Sequence, residues 1–270
     1  MKPFDFTNKT VIITGASSGI GKSLAQILIT KYNAKVLAVA RNQEKLNAVK
    51  AEFNNLSNLY ETYSFDVGSY ENWQNFKSSL DSNGVKIDCL INCAGVLPPF
   101  NKFENVTVSD FEKVVNINYL SCVYSCSLFL KDISSGGVII NVSSSSALCG
   151  FAGVSAYSSS KVALERFSEC LAVESKKVSV TTVMPGFTKT DVLRSQSQTE
   201  KERNLIDKIS APVNKVAKTI IKKASKRRSR VITGLDAHFM NFIYKFSPRT
   251  APKFLTWFLK KSNFTTFKDI

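Results

Sequence analysis

Tyr157 and Lys161 stand four residues apart in Tyr157-Ser158-Ser159-Ser160-Lys161, inside a stretch of helical character. On a helix that spacing puts phenol and ammonium on one face, with Cβ atoms about 5–6 Å apart. The cation favours phenolate and draws a phenol whose ordinary pKa is near ~10 toward neutrality, which makes Tyr157 a candidate acid/base. An exposed helical pair is the plain alternative. Near the N-terminus, in Thr14-Gly15-Ala16-Ser17-Ser18-Gly19-Ile20-Gly21-Lys22, an apolar run meets a glycine-rich turn that opens a helix. Glycine lets the backbone approach a pyrophosphate closely, and a helix N-terminus presents N–H donors and a positive dipole end. Gly15, Ser17, Ser18, Gly19, Ile20 and Gly21 are therefore candidate phosphate-binding residues. Their spacing is G-x-x-x-G-x-G, not the commoner G-x-G-x-x-G, and alone it also fits any tight strand-to-helix connection.

Other chemistries lack their residues. His238 is the only histidine and lies in an aromatic stretch, so it reads as a packing or interfacial residue and not as the base of a Ser-His-Asp or Cys-His group. Cys89, Cys93, Cys122, Cys126, Cys149 and Cys170 lie mostly in apolar runs without CxxC spacing. They read as buried free thiols of a reducing compartment, with no metal site expected.

The elements that must position the tyrosine, lysine and glycines are legible as alternating patterns. Short β-branched or apolar runs at 11–14, 36–40, 60–65, 87–92, 138–142, 178–183 and 230–233 predict seven strands. Helices are expected over 19–32, 43–54, 70–80, 109–130, 156–175 and 212–224 between them. Strands apolar throughout, with helix-length connections, imply a parallel sheet covered on both faces. The expected architecture is a Rossmann-like, doubly wound α/β fold with seven parallel strands. Residues 1–235 would form this unit and 236–270 a basic, aromatic extension, broken at Pro248 and Pro252.

Further motifs follow in order. Asn92-Cys93-Ala94-Gly95 comes after the fourth strand, Asn116-Ile117-Asn118-Tyr119 lies in a helix, Ser144 ends the fifth strand and Pro185-Gly186 follows the sixth. With the glycine turn and Y-x-x-x-K, these make residues 7–235 resemble the short-chain dehydrogenase/reductase family. Cys93 stands where that family usually has a second Asn, and Ser121 where Gly often follows the Asn118 motif. The resemblance implies an oxidoreductase in which Tyr157 exchanges a proton with the substrate oxygen, Lys161 tunes Tyr157 and holds the nicotinamide ribose, and Ser144 bonds the carbonyl oxygen. Ser143 stays open as the alternative serine. Asn118 would bind a water that relays protons to Lys161. The cofactor-binding set it implies adds Asp66 and Val67 beside the adenine, then Asn92, Ala94, Gly95, Pro185, Gly186, Thr188 and Thr190, with Tyr157 and Lys161. Asp66 could equally serve as a helix cap.

Arg41 bears on cofactor choice. NAD enzymes of this architecture carry Asp or Glu at the end of the second strand, whereas this strand ends Ala38-Val39-Ala40-Arg41-Asn42. A guanidinium able to grip a 2′-phosphate, with no carboxylate to repel it, predicts NADP(H) over NAD(H). Within the family, Val39-Ala40-Arg41-Asn42, Lys102-Phe103-Glu104, Ile117-Asn118-Tyr119-Leu120, Val123-Tyr124 and Gly150-Phe151 look like 3-ketodihydrosphingosine reductases and related bacterial reductases of long-chain ketones. Against that, Pro185-Gly186-Phe187-Thr188 follows the general family pattern, and the C-terminal stretch lacks hydrophobic spans. The substrate expected is a ketone, hydrophobic or lipid-like. A carrier-linked, CoA-linked or small polar carbonyl is the alternative, and a non-catalytic nucleotide sensor or nucleic-acid binder the third reading.

Charge separates the two ends of the chain. Of 36 Lys and Arg and 21 Asp and Glu, residues 211–270 hold 14 bases against only Asp236 and Asp269. That +12 end predicts an anionic partner, a membrane surface, nucleic acid or an acidic carrier, or else a solvated basic face. Phe239, Phe242, Ile243, Phe246, Phe254, Leu255, Trp257 and Phe258 interleave with lysines there, as in an interfacial membrane helix, a lid over an apolar substrate, or a dimer or core-packing helix. The first ten residues lack an apolar signal core, so a cytoplasmic protein peripheral to a membrane is expected, as a homodimer or homotetramer and without nucleic acid.

Overall fold

The computed structural model describes residues 2–197, 199–262, 267 and 270. Its strands are β1 (Thr10–Thr14), β2 (Lys35–Ala40), β3 (Tyr60–Ser64), β4 (Ile87–Asn92), β5 (Ile133–Val142), β6 (Ser179–Pro185) and β7 (Arg230–Thr233). They form one seven-stranded sheet in the order β3-β2-β1-β4-β5-β6-β7, every pairing parallel. Side chains alternate across a strand, and here both sides are dry. Val11 and Ile13 join Val36, Ala38, Cys89 and Ile91 in one core, while Ile12 joins Leu37, Val39 and Leu90 in the other. This two-sided burial is why the strands read as apolar runs without polar alternation.

The helices are α1 (Gly19–Tyr32), α2 (Gln43–Ala51), α3 (Tyr70–Ser82), α4 (Val108–Val115), α5 (Ser121–Phe129), α6 (Ser155–Glu174), α7 (Asp191–Arg194), α8 (Glu200–Ile209), α9 (Val213–Ser225), α10 (Leu235–Phe246) and α11 (Ala251–Lys261). Leu24 and Leu28 of α1 with Val216, Ile220 and Ile221 of α9 close the first core. Trp73 and Phe76 of α3, Phe129 of α5 and Leu171 of α6 close the second.

Three boundaries differ from the sequence expectation. The helix expected over 109–130 is two α-helices joined by a π-helical turn at Asn116–Leu120. Residues 43–54 stop being helical at Ala51, and Asn54, at φ 48°, begins a 3₁₀ segment Asn54–Leu59. The fifth strand begins at Ile133, through Ser134-Ser135-Gly136-Gly137, which carries no strand signature. The extension is helical on both sides of its break at Pro248, whereas Pro252, expected as a second break, sits in the first turn of α11, where the missing N–H costs no helical bond. Met240, Ala251 and Leu255 pack around Cys149, and Ala237 packs against Met184, so the extension lies against the carboxyl end of β6 and the turn that follows β5.

Candidate active site

β1 lies between β2 and β4, where strand order reverses, and an open α/β sheet leaves a crevice outside the carboxyl ends of strands at such a point. Thr14 ties the crevice together: its Oγ1 accepts the N–H of Cys93 at 2.9 Å and of Ala94 at 3.0 Å, locking the end of β1 to the turn after β4. Gly15 follows at φ +68°, a left-handed conformation that favours glycine, and a Cβ on Gly21 would lie 2.3 Å from the Gly15 carbonyl oxygen. The turn therefore folds tightly onto the first turn of α1. Ser18, the N-cap of α1, makes no side-chain capping bond, which leaves the N–H groups of the first turn for an anion. This glycine cradle with open donors fits the pyrophosphate of a dinucleotide.

Gly15, Ser18, Gly19, Ile20, Gly21, Ala94 and Gly95 line a cleft of about 220 Å³ that continues to Ser144, Tyr157, Lys161, Pro185, Gly186, Thr188 and Thr190. The cleft thus joins the two candidate centres, glycine turn and Tyr-Lys pair. Lys161 is almost fully buried, and its Nζ donates to the Val142 carbonyl at 2.9 Å and lies 5.9 Å from the centre of the Tyr157 ring. Ser143 and Ser144 also separate here. The Ser143 hydroxyl donates to the Lys161 carbonyl at 2.9 Å, whereas Ser144 Oγ accepts from the Ser146 N–H at 3.2 Å and keeps its own proton to donate. That difference favours Ser144 as the donor to a substrate oxygen.

Asn118 lies in the π turn, fully buried. Its Oδ1 accepts the Val96 N–H at 2.7 Å, and its Nδ2 donates to the Val96 carbonyl at 2.9 Å and to Ser160 Oγ at 3.1 Å. The amide pairs with the loop after β4 as a neighbouring strand would. It thereby holds Gly95 and Val96 against the helix that carries Lys161, and a mid-helix π turn is a frequent mark of such functional placement.

Several expected residues lie outside the cleft lining. Asn92 is buried behind it, donating to Asn141 Oδ1 at 2.9 Å and accepting from Ser125 at 2.8 Å, while Asn141 continues to Ser168. Val67 is in the second core and its carbonyl accepts the Trp73 indole. Asp66 is exposed and accepts the Gly68 N–H at 2.9 Å; the cap of α3 is Ser69, whose Oγ accepts from the Asn72 N–H, and not Asp66. Ser17 is half-buried beside the turn, and Arg41 is exposed just beyond β2. Cys93 lines the cleft, yet burial pushes its thiol up to about 12 against the opposing pull of Lys161, and burial likewise holds Cys122 at about 11. Both stay protonated near neutrality and are poor nucleophiles. Among the described residues no cluster suited to a metal occurs, and no helix is long and apolar enough to cross a membrane.

Sequence reasoning missed most of the apolar wall. Val96, Leu97, Phe100, Phe151, Phe187 and Met240 complete the cleft beside Val192 and Leu193. Val192 and Leu193 sit on the short helix α7, and Met240 belongs to α10 and reaches the cleft only through tertiary packing.

Comparison with known proteins agrees with this geometry. Residues 9–201 match the short chain dehydrogenase family. Mouse 3-ketodihydrosphingosine reductase is 34% identical over 252 residues, 89% of this chain and 75% of that protein. A 3beta-hydroxysteroid dehydrogenase of Mediterraneibacter gnavus is 31% identical over 201 residues, 73% of this chain and 72% of that one. A short-chain dehydrogenase structure from Streptomyces avermitilis superposes with a TM-score of 0.78 at 24% identity, covering 96% of this chain and 99% of its own. With cradle, Tyr-Lys pair and fold in register, the chain belongs to the short-chain dehydrogenase/reductase family, oxidoreductases that interconvert C=O and CH–OH with NAD(P)(H).

Proposed function

We propose that the protein reduces a ketone on a hydrophobic, lipid-like substrate and prefers NADP(H). The observation that carries this reading is the apolar wall of Val96, Leu97, Phe100, Phe151, Phe187 and Met240 beside Ser144, Tyr157 and Lys161. Polar or charged substituents would meet no partner along that wall, and burying them unpaired is unfavourable. The two relatives are named for 3-ketodihydrosphingosine and for a 3beta-hydroxysteroid, which supports the same substrate class.

A bound nicotinamide supplies the hydride in the reducing direction. Ser144 donates a hydrogen bond to the carbonyl oxygen and orients it toward Tyr157. Tyr157 gives its phenolic proton to that oxygen as negative charge develops there. Lys161, buried and held by the Val142 carbonyl, stabilises the phenolate left behind and offers its remaining protons to the ribose hydroxyls. The water relay through Asn118 belongs to the proposal as well, although the direct contacts of its amide are to Val96 and Ser160. Arg41 grips the 2′-phosphate, and the exposed aromatic and basic residues of α10 and α11 bring the protein to an anionic membrane surface from the cytoplasm.

Replacement of Tyr157 by Phe tests the chemistry. Turnover of NADPH with hydrophobic ketones should fall about 10²–10⁴-fold, the usual contribution of a positioned general acid, while NADPH still quenches protein fluorescence with near-wild-type affinity. Near-normal turnover in the variant would overturn the assignment.

A further inference from the structure

A second cavity lies behind the apolar wall of the cleft. Phe100, Phe187 and Leu193 are common to both, facing the catalytic cleft on one side and a chamber of about 90 Å³ on the other. Ile206 and Ile209 of α8 form one flank of this chamber, and Phe258 and Leu259 of α11 form another. Phe267 closes it further, its ring 4.9 Å from Phe100, and Ile270 packs in the same cluster. The two polar residues at its margin are turned to other partners: Gln196 donates to the Leu97 carbonyl at 3.2 Å and Ser262 to the Leu259 carbonyl. The described lining therefore offers no partner to a charged or hydrogen-bonding group. An apolar chamber of this kind stays dry and gains van der Waals contacts when a hydrocarbon fills it.

We propose that this chamber receives the distal end of the substrate's alkyl chain. The chain would run from a carbonyl held at Ser144 and Tyr157 between Phe187 and Leu193, and Ile206 with Leu259 would set the length accepted. The proposal rests on reading the cleft as a ketone reductase site and adds to it a second site with its own specificity. It assigns a role to the C-terminal extension, because α11 supplies a wall that the sheet and α8 do not. The shared wall fixes the order of occupancy: short chains end in the cleft, and only long chains reach the chamber. A phosphate-bearing carrier arm is excluded from it, since nothing there would pair with the charge.

The test compares methyl ketones with butyl and tetradecyl chains, each with NADPH, in the full chain and in two variants of opposite effect. Wild type should favour the tetradecyl ketone in kcat/KM. Ile206→Trp, which fills the chamber, should lower the long-to-short ratio at least about tenfold, the equivalent of excluding roughly two methylenes from apolar burial. Ile206→Ala, which widens it, should shift the preference toward longer chains. Loss of fold would depress both ketones together and leave the ratio unmoved, and melting curves report it separately. A ratio unchanged in both folded variants overturns the proposal. If wild type reduces the butyl ketone but not the tetradecyl one, the chamber fails as a chain site while ketone reduction stands. If neither is reduced, the reductase reading fails, and calorimetric binding of the tetradecyl ketone decides the chamber: tight binding to wild type weakened by Ile206→Trp sustains it, and equal or absent binding overturns it.

Discussion

Arg41 follows the last residue of β2 with its guanidinium exposed and outside every ion pair among the described residues. Its carbonyl accepts the Ser64 hydroxyl at 2.9 Å, which anchors the backbone while the side chain stays available. A guanidinium binds phosphate through charge-assisted, often bidentate hydrogen bonds, whereas an aspartate at the same place would repel it. Arg41→Asp should therefore weaken NADPH binding by one to two orders of magnitude, roughly the loss of one charge-assisted contact, and NADH binding much less. Titration of both cofactors against both proteins reads the difference directly, and equal wild-type affinity for the two would remove the basis for an NADP preference. Other single residues show how placement depends on neighbours that the sequence does not display. Tyr157, Lys161 and the glycines were legible because chemistry fixes their spacing, and the cleft unites them. Asn92 was not legible as a buried link to Asn141 and Ser168, because that chain joins residues far apart in sequence.

At the scale of elements, the turn after β6 is held by the start of α10. Asp236 Oδ2 accepts the Phe187 N–H at 2.6 Å, and a Cβ on Gly186 would meet the Asp236 carboxylate at 2.1 Å. Glycine is thus required at 186 by the close approach of another element, a reason distinct from backbone conformation. Gly186→Ala should push the carboxylate away, break the bond to Phe187 and destabilise the fold by about 1–3 kcal/mol, the range for a disrupted buried hydrogen bond. Because Phe187 lines the cleft, KM for the ketone should rise as well. Thermal unfolding and steady-state kinetics check both, and Gly186→Ala combined with Asp236→Ala should recover part of the stability by relieving the overlap. A single variant as stable as wild type would contradict the contact. Strand centres and long helices were visible because apolar periodicity reports burial, and burial is set by the sheet. The π turn at Asn116–Leu120 was not, since one extra residue in a helix leaves no period of its own. The first half of β5 was hidden likewise: Gly136, at φ 83°, sits beside the register shift between Ile87 and Cys89, where pairing and not propensity makes the strand.

For the whole molecule, the unpaired feature is the outer surface of α10 and α11. Phe242 is 67% exposed, Phe246 85% and Trp257 56%. Phe239 meets Phe254 edge-on across the two helices at 6.4 Å, and Phe254 meets Trp257 at 6.0 Å, so these three rings form one patch; Phe242 and Phe246 stack as a second pair on α10. Lys245, Arg249, Lys253, Lys260 and Lys261 belong to the same segment, and an apolar patch bordered by cations matches an anionic lipid surface. The sequence already showed the aromatic and basic composition, but not which face of each helix would pack on Cys149 and which would stay open. In flotation, binding to phosphatidylglycerol vesicles should exceed binding to phosphatidylcholine ones and fall as salt rises, because each Lys or Arg near a charged leaflet contributes about 1 kcal/mol before screening. Part of the binding should persist at high salt through ring insertion. Phe242→Ser with Trp257→Ser should remove that salt-resistant part while leaving the melting temperature close to wild type, since both side chains are largely solvent-exposed. If the wild type ignores anionic vesicles and the serine pair instead converts an oligomer to monomers by light scattering, the patch is a contact between copies of the chain and membrane attachment is wrong.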